Sequence, residues 1–237
     1  MGIYKGEWKN NMRNGQGKQT NYDENETIAW NFEGDWKDEW QNGQGTETGY
    51  INGIISFSYE GEYLDNMRNG YGTNTDYDEN GRITWTYEGE WKNDDLNGQG
   101  TETGYDENGN ITWSYEGDWK DSKRNGYGTE TGYDENGTIK WSYKGEWNDS
   151  NKNGYGTHTD YDENGRIYWT FEGDWKDNKR DGRGTETSYD ENGNACVFKG
   201  EWKEGRKDGS FVVTTYDENG NVTDTSNEVW QDDRRVS

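Results

Sequence analysis

A short repeated motif sets the strongest limit on the fold of this chain. An aromatic residue, a glycine and a second aromatic residue occupy alternate positions in eight places, as in Tyr87, Gly89 and Trp91. The central glycines lie 28 residues apart, except for two intervals of 27. Such a period indicates a repeat protein in which each repeat packs on its neighbours. The eight central glycines are Gly6, Gly34, Gly61, Gly89, Gly117, Gly145, Gly173 and Gly200.

Six of the repeats also carry Asn-Gly-x-Gly, which becomes Asp-Gly-x-Gly in the seventh repeat and Asp-Gly in the eighth. Each repeat carries a form of Tyr-Asp-Glu-Asn-Gly, and no linker separates the repeats. We therefore expect an eight-repeat array over residues 1–220. Residues 221–237 are expected to form a degenerate half-repeat and C-terminal cap, because Asp224, Ser226 and Glu228 replace two rings and a glycine. Polar residues there end the aromatic pattern and discourage pairing with another strand. The first strand lacks them, and we predict that it is the more open edge.

Within a repeat the pattern has a period of two. From Trp113 to Lys120 the rings and the glycine share one parity, while Ser, Glu, Asp and Lys share the other. This alternation predicts half-buried antiparallel strands. Asp-Glu-Asn-Gly predicts a tight hairpin turn, and residues 120–126 predict a wider turn at the opposite end. The expected fold is all-β: an elongated single-sheet antiparallel meander of consecutive β-hairpins, with about 16 or 17 strands.

The composition is compatible with this fold only if rings replace the usual core. Leu, Ile, Val and Phe number only 22 and the net charge is −24, which by themselves are typical of disorder. The 14 Trp and 18 Tyr favour a folded protein instead. Because glycine has no Cβ, it leaves a floor on which a ring from the next repeat can lie.

The charge and the single cysteine limit the partners and the location. An acidic chain repels nucleic-acid phosphates and anionic membranes, whereas a basic protein partner is compatible with it. No apolar stretch approaches the roughly 18 residues that span a bilayer. Cys196 is the only cysteine and cannot form an internal disulfide, which favours a reducing, cytoplasmic location.

Two motifs together resemble a known repeat family. Tyr-Glu-Gly-Glu-Trp-Lys at residues 87–92, followed by Asn-Gly-x-Gly-Thr at 97–101, closely resembles the MORN repeat, and residues 115–120 and 125–129 do so again. The resemblance covers about residues 4–220, although these repeats are longer than is usual in the family. It implies an elongated sheet of hairpins with a non-catalytic role in assembly, as a scaffold or a dimerisation module.

The aromatic columns are the candidate partner-binding surface. A single sheet cannot cover both of its own faces, so the rings either pack as a core or line a groove for a ligand or partner. Which face is covered stays open at this stage. We predict partner binding by Trp85, Trp113, Trp141, Trp169, Tyr71, Tyr127 and Tyr155.

The other polar motifs favour structural roles. Asp-Glu-Asn-Gly resembles the start of a calcium loop but lacks the distal ligands, so turn chemistry is favoured over cation binding. The carboxylates recur in every repeat, whereas glycoside hydrolysis needs one distinctive pair. We expect His158 at a surface position of a strand and Cys196 as a small buried residue. The sequence predicts no catalytic residues, no cofactor and no metal.

Taken together, these features favour a non-enzymatic scaffold or protein-interaction protein. It would act in assembly, as a homodimer or by docking an unidentified protein on the aromatic face. The alternative is a carbohydrate or small-ligand binding array that uses exposed Trp and Tyr columns.

Overall fold

The computed structural model describes residues 2–237, which form eighteen β-strands and no helix. The chain has two compact halves, which divide between Ser122 and Lys123. The strands of the N-terminal half are β1 (Gly2–Lys9), β2 (Met12–Tyr22), β3 (Ile28–Lys37), β4 (Trp40–Ile51), β5 (Ile54–Leu64), β6 (Met67–Tyr77), β7 (Ile83–Lys92), β8 (Asp95–Tyr105) and β9 (Ile111–Lys120). Those of the C-terminal half are β10 (Lys123–Tyr133), β11 (Ile139–Asn148), β12 (Asn151–Tyr161), β13 (Ile167–Lys176), β14 (Lys179–Tyr189), β15 (Ala195–Lys203), β16 (Arg206–Tyr216), β17 (Val222–Gln231) and β18 (Arg234–Arg235).

Within each half, every strand pairs antiparallel with the next along the chain. In the N-terminal half β7 pairs with β8 and β8 with β9; in the C-terminal half β11 pairs with β12 and β12 with β13. The predicted all-β meander of consecutive hairpins is therefore confirmed. The described residues contain more strands than predicted, partly because β18 is a separate strand of 2 residues.

The two kinds of turn have the opposite sizes from those predicted. The short turn is Asp149 and Ser150, which joins β11 to β12 with φ of 48° and 64°. Asp-Glu-Asn-Gly instead begins the longer loop between β10 and β11, in which Asp134 Oδ1 accepts the backbone N–H groups of Asn136 at 2.8 Å and Thr138 at 2.9 Å. The prediction was wrong because a carboxylate that reaches N–H groups two and four residues ahead needs a longer loop.

The two short intervals of 27 residues have different local causes. Between β4 and β5 a two-residue turn of Asn52 and Gly53, with φ of 54° and 78°, replaces the longer loop. Between β14 and β15 the pairing runs without a register shift from Ser188 to Tyr189, whereas β8 and β9 shift register at the corresponding place. The second deletion therefore removes the extra residue of a β-bulge.

The core of each half lies on one face of its sheet, as the alternating pattern predicts. Tyr115 is fully buried and Trp119 is 6 % exposed. Glu116, which lies on the other parity of the same strand, is exposed. We call this side the ring face and the other side the opposite face. At the edge strand β1 the ring of Trp8 is 58 % exposed.

Paired glycines bring the strands of the ring face together. Gly89 stands opposite Gly100, and a Cβ built on Gly89 would lie 2.5 Å from the Cα of Gly100. The ring of Tyr87 lies over Gly100. The ring on the glycine floor thus comes from the same hairpin rather than from the next repeat, which corrects the prediction.

Candidate interaction face

The rings of the ring face form a continuous edge-to-face series within each half. The Tyr87 ring lies 5.2 Å from Trp91 and 5.4 Å from Trp119, with interplanar angles of 86° and 90°. Such T-shaped pairs set the positive edge of one ring against the negative face of another. In the C-terminal half Tyr143 contacts Trp147 at 5.2 Å and Trp175 at 5.3 Å in the same way.

The polar atoms of these buried rings are satisfied by the backbone. The Tyr87 hydroxyl donates to the carbonyl of Glu90 at 3.1 Å, and Trp119 Nε1–H donates to the carbonyl of Gly100 at 3.2 Å. The tryptophan of the next repeat is therefore tied to a glycine, as expected, but through its carbonyl. Burial raises the pKa of Tyr87 and Tyr143 well above the usual value, so both hydroxyls remain neutral donors.

A column of side chains, most of them cations, crosses the rings at the second residue after each two-residue turn. The Lys152 ammonium lies 4.6 Å from the ring centre of Tyr143, 5.1 Å from Trp141 and 5.9 Å from Trp175. These are cation–π distances. Burial lowers the pKa of Lys152 despite its contact with Glu130. Equivalent positions hold Arg13, Gln41, Arg68 and Leu96 in the N-terminal half and Arg124, Lys152, Arg180 and Lys207 in the C-terminal half.

Six residues after each of these positions comes a second column, in which carboxylates alternate with other residues within each half. Glu186 accepts hydrogen bonds from Arg180 and from Lys207, the latter at 2.6 Å. Glu130 pairs with Arg124 at 2.6 Å and with Lys152 at 3.7 Å. The equivalent residues are Gln19, Glu47, Asn74 and Glu102 in the N-terminal half and Glu130, His158, Glu186 and Val213 in the C-terminal half.

The alternation from Trp113 to Lys120 predicts both signs of charge on the opposite face, so these two columns were not predicted. The alternation of residues along the other strand of the hairpin does indicate them. Counting in twos from the ring-face glycine Gly184 reaches Glu186 in one direction and Arg180 in the other. Together we call the cation positions and carboxylate positions the ionic ladder. It lies on the aromatic core, where ion pairs and cation–π contacts reinforce each other.

His158 belongs to this ladder, and its predicted surface position was wrong. Its ring stacks on Trp141, with centres 5.8 Å apart and planes inclined by 11°, and its other side meets Trp169. Nε2 lies 3.0 Å from Asp160 Oδ1. Burial lowers the pKa of His158 even though Asp160 acts in the opposite sense. The parity that places Glu186 on the ring face places His158 there as well.

The seven predicted partner-binding residues do not line one groove. Trp85, Trp113, Trp141 and Trp169 are half-buried on the ring face. The three tyrosines lie on the opposite face and are about half exposed: Tyr71 at 52 %, Tyr127 at 52 % and Tyr155 at 51 %.

The hydroxyls of the exposed tyrosines bond to acidic neighbours on the opposite face. Tyr71 donates to Glu88 at 2.8 Å and Tyr155 to Glu172 at 2.7 Å. These hydrogen bonds raise the pKa of both tyrosines. The opposite face thus presents separate aromatic and acidic groups, whereas the ring face presents packed aromatic rings with an ionic ladder over them.

The loops that begin with Asp-Glu-Asn-Gly use their carboxylates internally. Asp106 Oδ1 accepts the backbone N–H groups of Asn108 and Asn110 at 2.8 and 2.9 Å, and Oδ2 accepts the Asn110 amide at 3.1 Å. These hydrogen bonds lower the pKa of Asp106. Within residues 2–237, no group of three or more His, Cys, Asp or Glu side chains is arranged to hold a metal ion.

Half-buried tryptophans, paired glycines and a strict hairpin period define a β-hairpin repeat protein. The chain matches the MORN repeat in eight stretches, namely residues 4–25, 32–53, 59–78, 87–109, 115–137, 143–165, 171–193 and 198–210. It belongs to the MORN repeat family. This repeat is a non-enzymatic type that generally mediates interactions with proteins or membranes. A comparison with curated proteins found no match. Residues 2–237 contain no helix that is long and apolar enough to cross a membrane.

Proposed function

We propose that this protein is a non-enzymatic scaffold whose ring face docks a protein partner during assembly. The partner is a second copy of the chain or another protein. The observation that supports this proposal most strongly is the half-burial of Trp85, Trp113, Trp141 and Trp169 on a face that already carries an ordered ionic ladder. Large aromatic side chains that one sheet leaves partly exposed are typical anchors of protein interfaces.

The charge favours a basic partner. Residues 1–122 carry 9 Lys or Arg against 25 Asp or Glu, and residues 123–237 carry 16 against 24. Net charges of −16 and −8 attract a positively charged surface and accelerate its association at low salt. The single Cys196 has a free thiol, in keeping with a cytoplasmic location for this assembly role.

Matched variants on the two faces test the proposal. Trp141→Thr removes a half-buried ring from the ring face, while Tyr155→Thr removes an exposed ring from the opposite face. Oligomer mass is measured by sedimentation, and bound proteins are identified after affinity capture. We expect self-association or a specific protein contact that Trp141→Thr weakens and Tyr155→Thr preserves. Equal effects of the two variants, with both folded by circular dichroism, would contradict docking on the ring face.

A further inference from the structure

Two places in the chain carry corresponding residues around one position of the ionic ladder, but only the second place has a cation at that position. The spacing between corresponding positions is 139 residues throughout. The residues of the second place surround the guanidinium of Arg180, and the first place has Gln41 in that position. The corresponding pairs are Trp30 and Trp169, Phe32 and Phe171, Gln41 and Arg180, Glu47 and Glu186, Asn66 and Gly205, and Arg68 and Lys207.

The second place shows how this arrangement holds a guanidinium. Arg180 Nη1 donates to Glu186 Oε2, and Nη2 donates to the carbonyl of Gly205 at 2.7 Å. The central carbon lies 5.5 Å from the ring centre of Trp169 and 5.4 Å from that of Phe171. A carboxylate, a carbonyl and two rings thus receive the planar cation, which is the geometry that guanidinium groups prefer.

The first place has the same carboxylate and aromatic groups, but a glutamine stands where the second place has its cation. Gln41 is only 7 % exposed, and its side-chain amide makes no hydrogen bond to any residue that the structure describes. Glu47 Oε2 pairs with Arg68 at 3.1 Å, and Glu186 Oε1 pairs with Lys207 at 2.6 Å. The other oxygen of Glu47 accepts the neutral indole N–H of Trp30 instead of a second cation.

A cavity of about 450 Å³ lies at this position, and Gln41, Glu47, Trp30 and Asn66 contribute to its walls. Arg13 also lines it, but Glu39 neutralises this guanidinium at 2.7 Å. The ring face can hold two neighbouring cations on one carboxylate, since Arg180 and Lys207 both pair with Glu186 in the C-terminal half.

We propose that this cavity, which we call the Gln41 cavity, binds an alkylguanidinium group. The group donates to the Glu47 carboxylate and to the Asn66 carbonyl and lies against the rings of Trp30 and Phe32. The source is an arginine side chain of a protein or a free alkylguanidine. This proposal rests on the proposed docking function, and it names the chemical group that the docked partner would present. Its test uses small compounds, so that either proposal can fail without the other.

The direct test is a titration of the full chain with N-acetyl-arginine amide, followed by the NMR signals of the indole N–H groups. We expect a saturable shift of the Trp30 signal with a Kd of about 1 mM. N-acetyl-lysine amide should bind at least fivefold more weakly, because an ammonium lacks the planar fork. Absence of saturable binding by the arginine compound, or equal affinity for the two compounds, would overturn the proposal.

Variants locate the site. Gln41→Arg supplies the cation from the chain itself and should weaken binding at least tenfold, while Leu96→Arg adds the same charge at another cation-free position of the ladder and should leave it unchanged. Glu47→Gln should also weaken binding at least tenfold, and circular dichroism shows whether each variant is folded. If Gln41→Arg binds like the wild type, the Gln41 cavity is not the site.

Two further probes separate the sources of the ligand. Methylguanidinium carries the cation alone, and the peptide Gly-Gly-Arg-Gly-Gly carries it on a backbone. Tighter binding of the peptide supports a protein partner, and equal binding supports a free alkylguanidine. Failure of both to displace N-acetyl-arginine amide would contradict a site for the alkylguanidinium group.

Discussion

The two halves of this protein each have an aromatic core of the same kind but differ in the ionic ladder above it. In both halves the T-shaped rings lie about as far apart, 5.2 Å for Tyr87 with Trp91 and 5.2 Å for Tyr143 with Trp147. The ladder of the C-terminal half has a cation at all four positions. That of the N-terminal half has Gln41 and Leu96 at two of the four.

This difference separates the residues that determine the fold from those that vary over it. Rings and paired glycines recur in both halves because close strand approach and edge-to-face packing tolerate few substitutes. A ladder position accepts Arg, Lys, Gln or Leu because its side chain lies over rings that are already packed. Differences in binding between the halves are therefore expected to come from the ladder.

The largest effect should come from the shared glycine pairs, and it should be equal in both halves. A Cβ at Gly89 or at Gly145 would lie 2.5 Å from the Cα of the glycine opposite. Since backbone atoms cannot move aside cheaply, Gly89→Ala and Gly145→Ala should each lower the free energy of unfolding by about 3 kcal/mol. Denaturant unfolding measures the loss. In the control Gly109→Asn, where a side chain has open space, the free energy of unfolding should change little. A loss below about 1 kcal/mol in Gly89→Ala would contradict the claim that close glycine pairs hold the core of each half together.

The next effect should differ between the halves. Glu186→Gln leaves two half-buried cations, Arg180 and Lys207, without their carboxylate, whereas Glu47→Gln leaves only Arg68. We expect losses of about 3 and about 1–2 kcal/mol in the free energy of unfolding, because a stranded buried charge is costly. Equal losses, measured by denaturant unfolding, would show that the second cation adds nothing to the C-terminal ladder.

A smaller effect should depend on pH. Since burial lowers the pKa of His158, the unfolded chain binds this proton more readily than the folded chain, whose pKa for this group is below the ordinary value of about 6.5. The contribution of neutral His158 to stability is complete above pH 6.5 and is lost as the pH falls from there toward the folded-state pKa. The charged groups that face the ring are Lys152, Glu130 and Asp160.

The matched variant is His158→Asn, which copies Asn74 at the equivalent position of the N-terminal half. Thermal unfolding between about pH 7.5 and pH 5.5 should show a wild-type loss of about 1 kcal/mol relative to this variant. The same pH dependence in both proteins would show that His158 does not titrate with folding.

The smallest effect should come from the opposite face in either half. Tyr71→Phe and Tyr155→Phe each remove one exposed hydrogen bond to a glutamate. Each should change the free energy of unfolding by less than about 0.5 kcal/mol, as measured by denaturant unfolding. A larger change in one half alone would place a structural contact on that face.

Much of the fold could be predicted from the sequence because its signals are local and repeated. Alternation over residues such as Tyr115, Gly117 and Trp119 determines which side of each strand is buried. The turn sizes could not be read from composition, since Asp149 and Ser150 make the two-residue turn only when both adopt positive φ. The groups around Gln41 could not be predicted either, because their correspondence with the groups around Arg180 is visible only in space.

The central claim is that a missing cation on the ring face creates a guanidinium site. It is tested most directly by removing a cation where the ladder is complete. Arg180→Gln places a glutamine among Trp169, Phe171 and Glu186, as Gln41 lies among Trp30, Phe32 and Glu47. In an NMR titration with N-acetyl-arginine amide, saturable shifts of the Trp30 and Trp169 indole N–H signals should therefore count two sites instead of the single site of the wild type. Arg180→Gln combined with Gln41→Arg should return the count to one. An unchanged count in Arg180→Gln, with the protein folded, would contradict the claim.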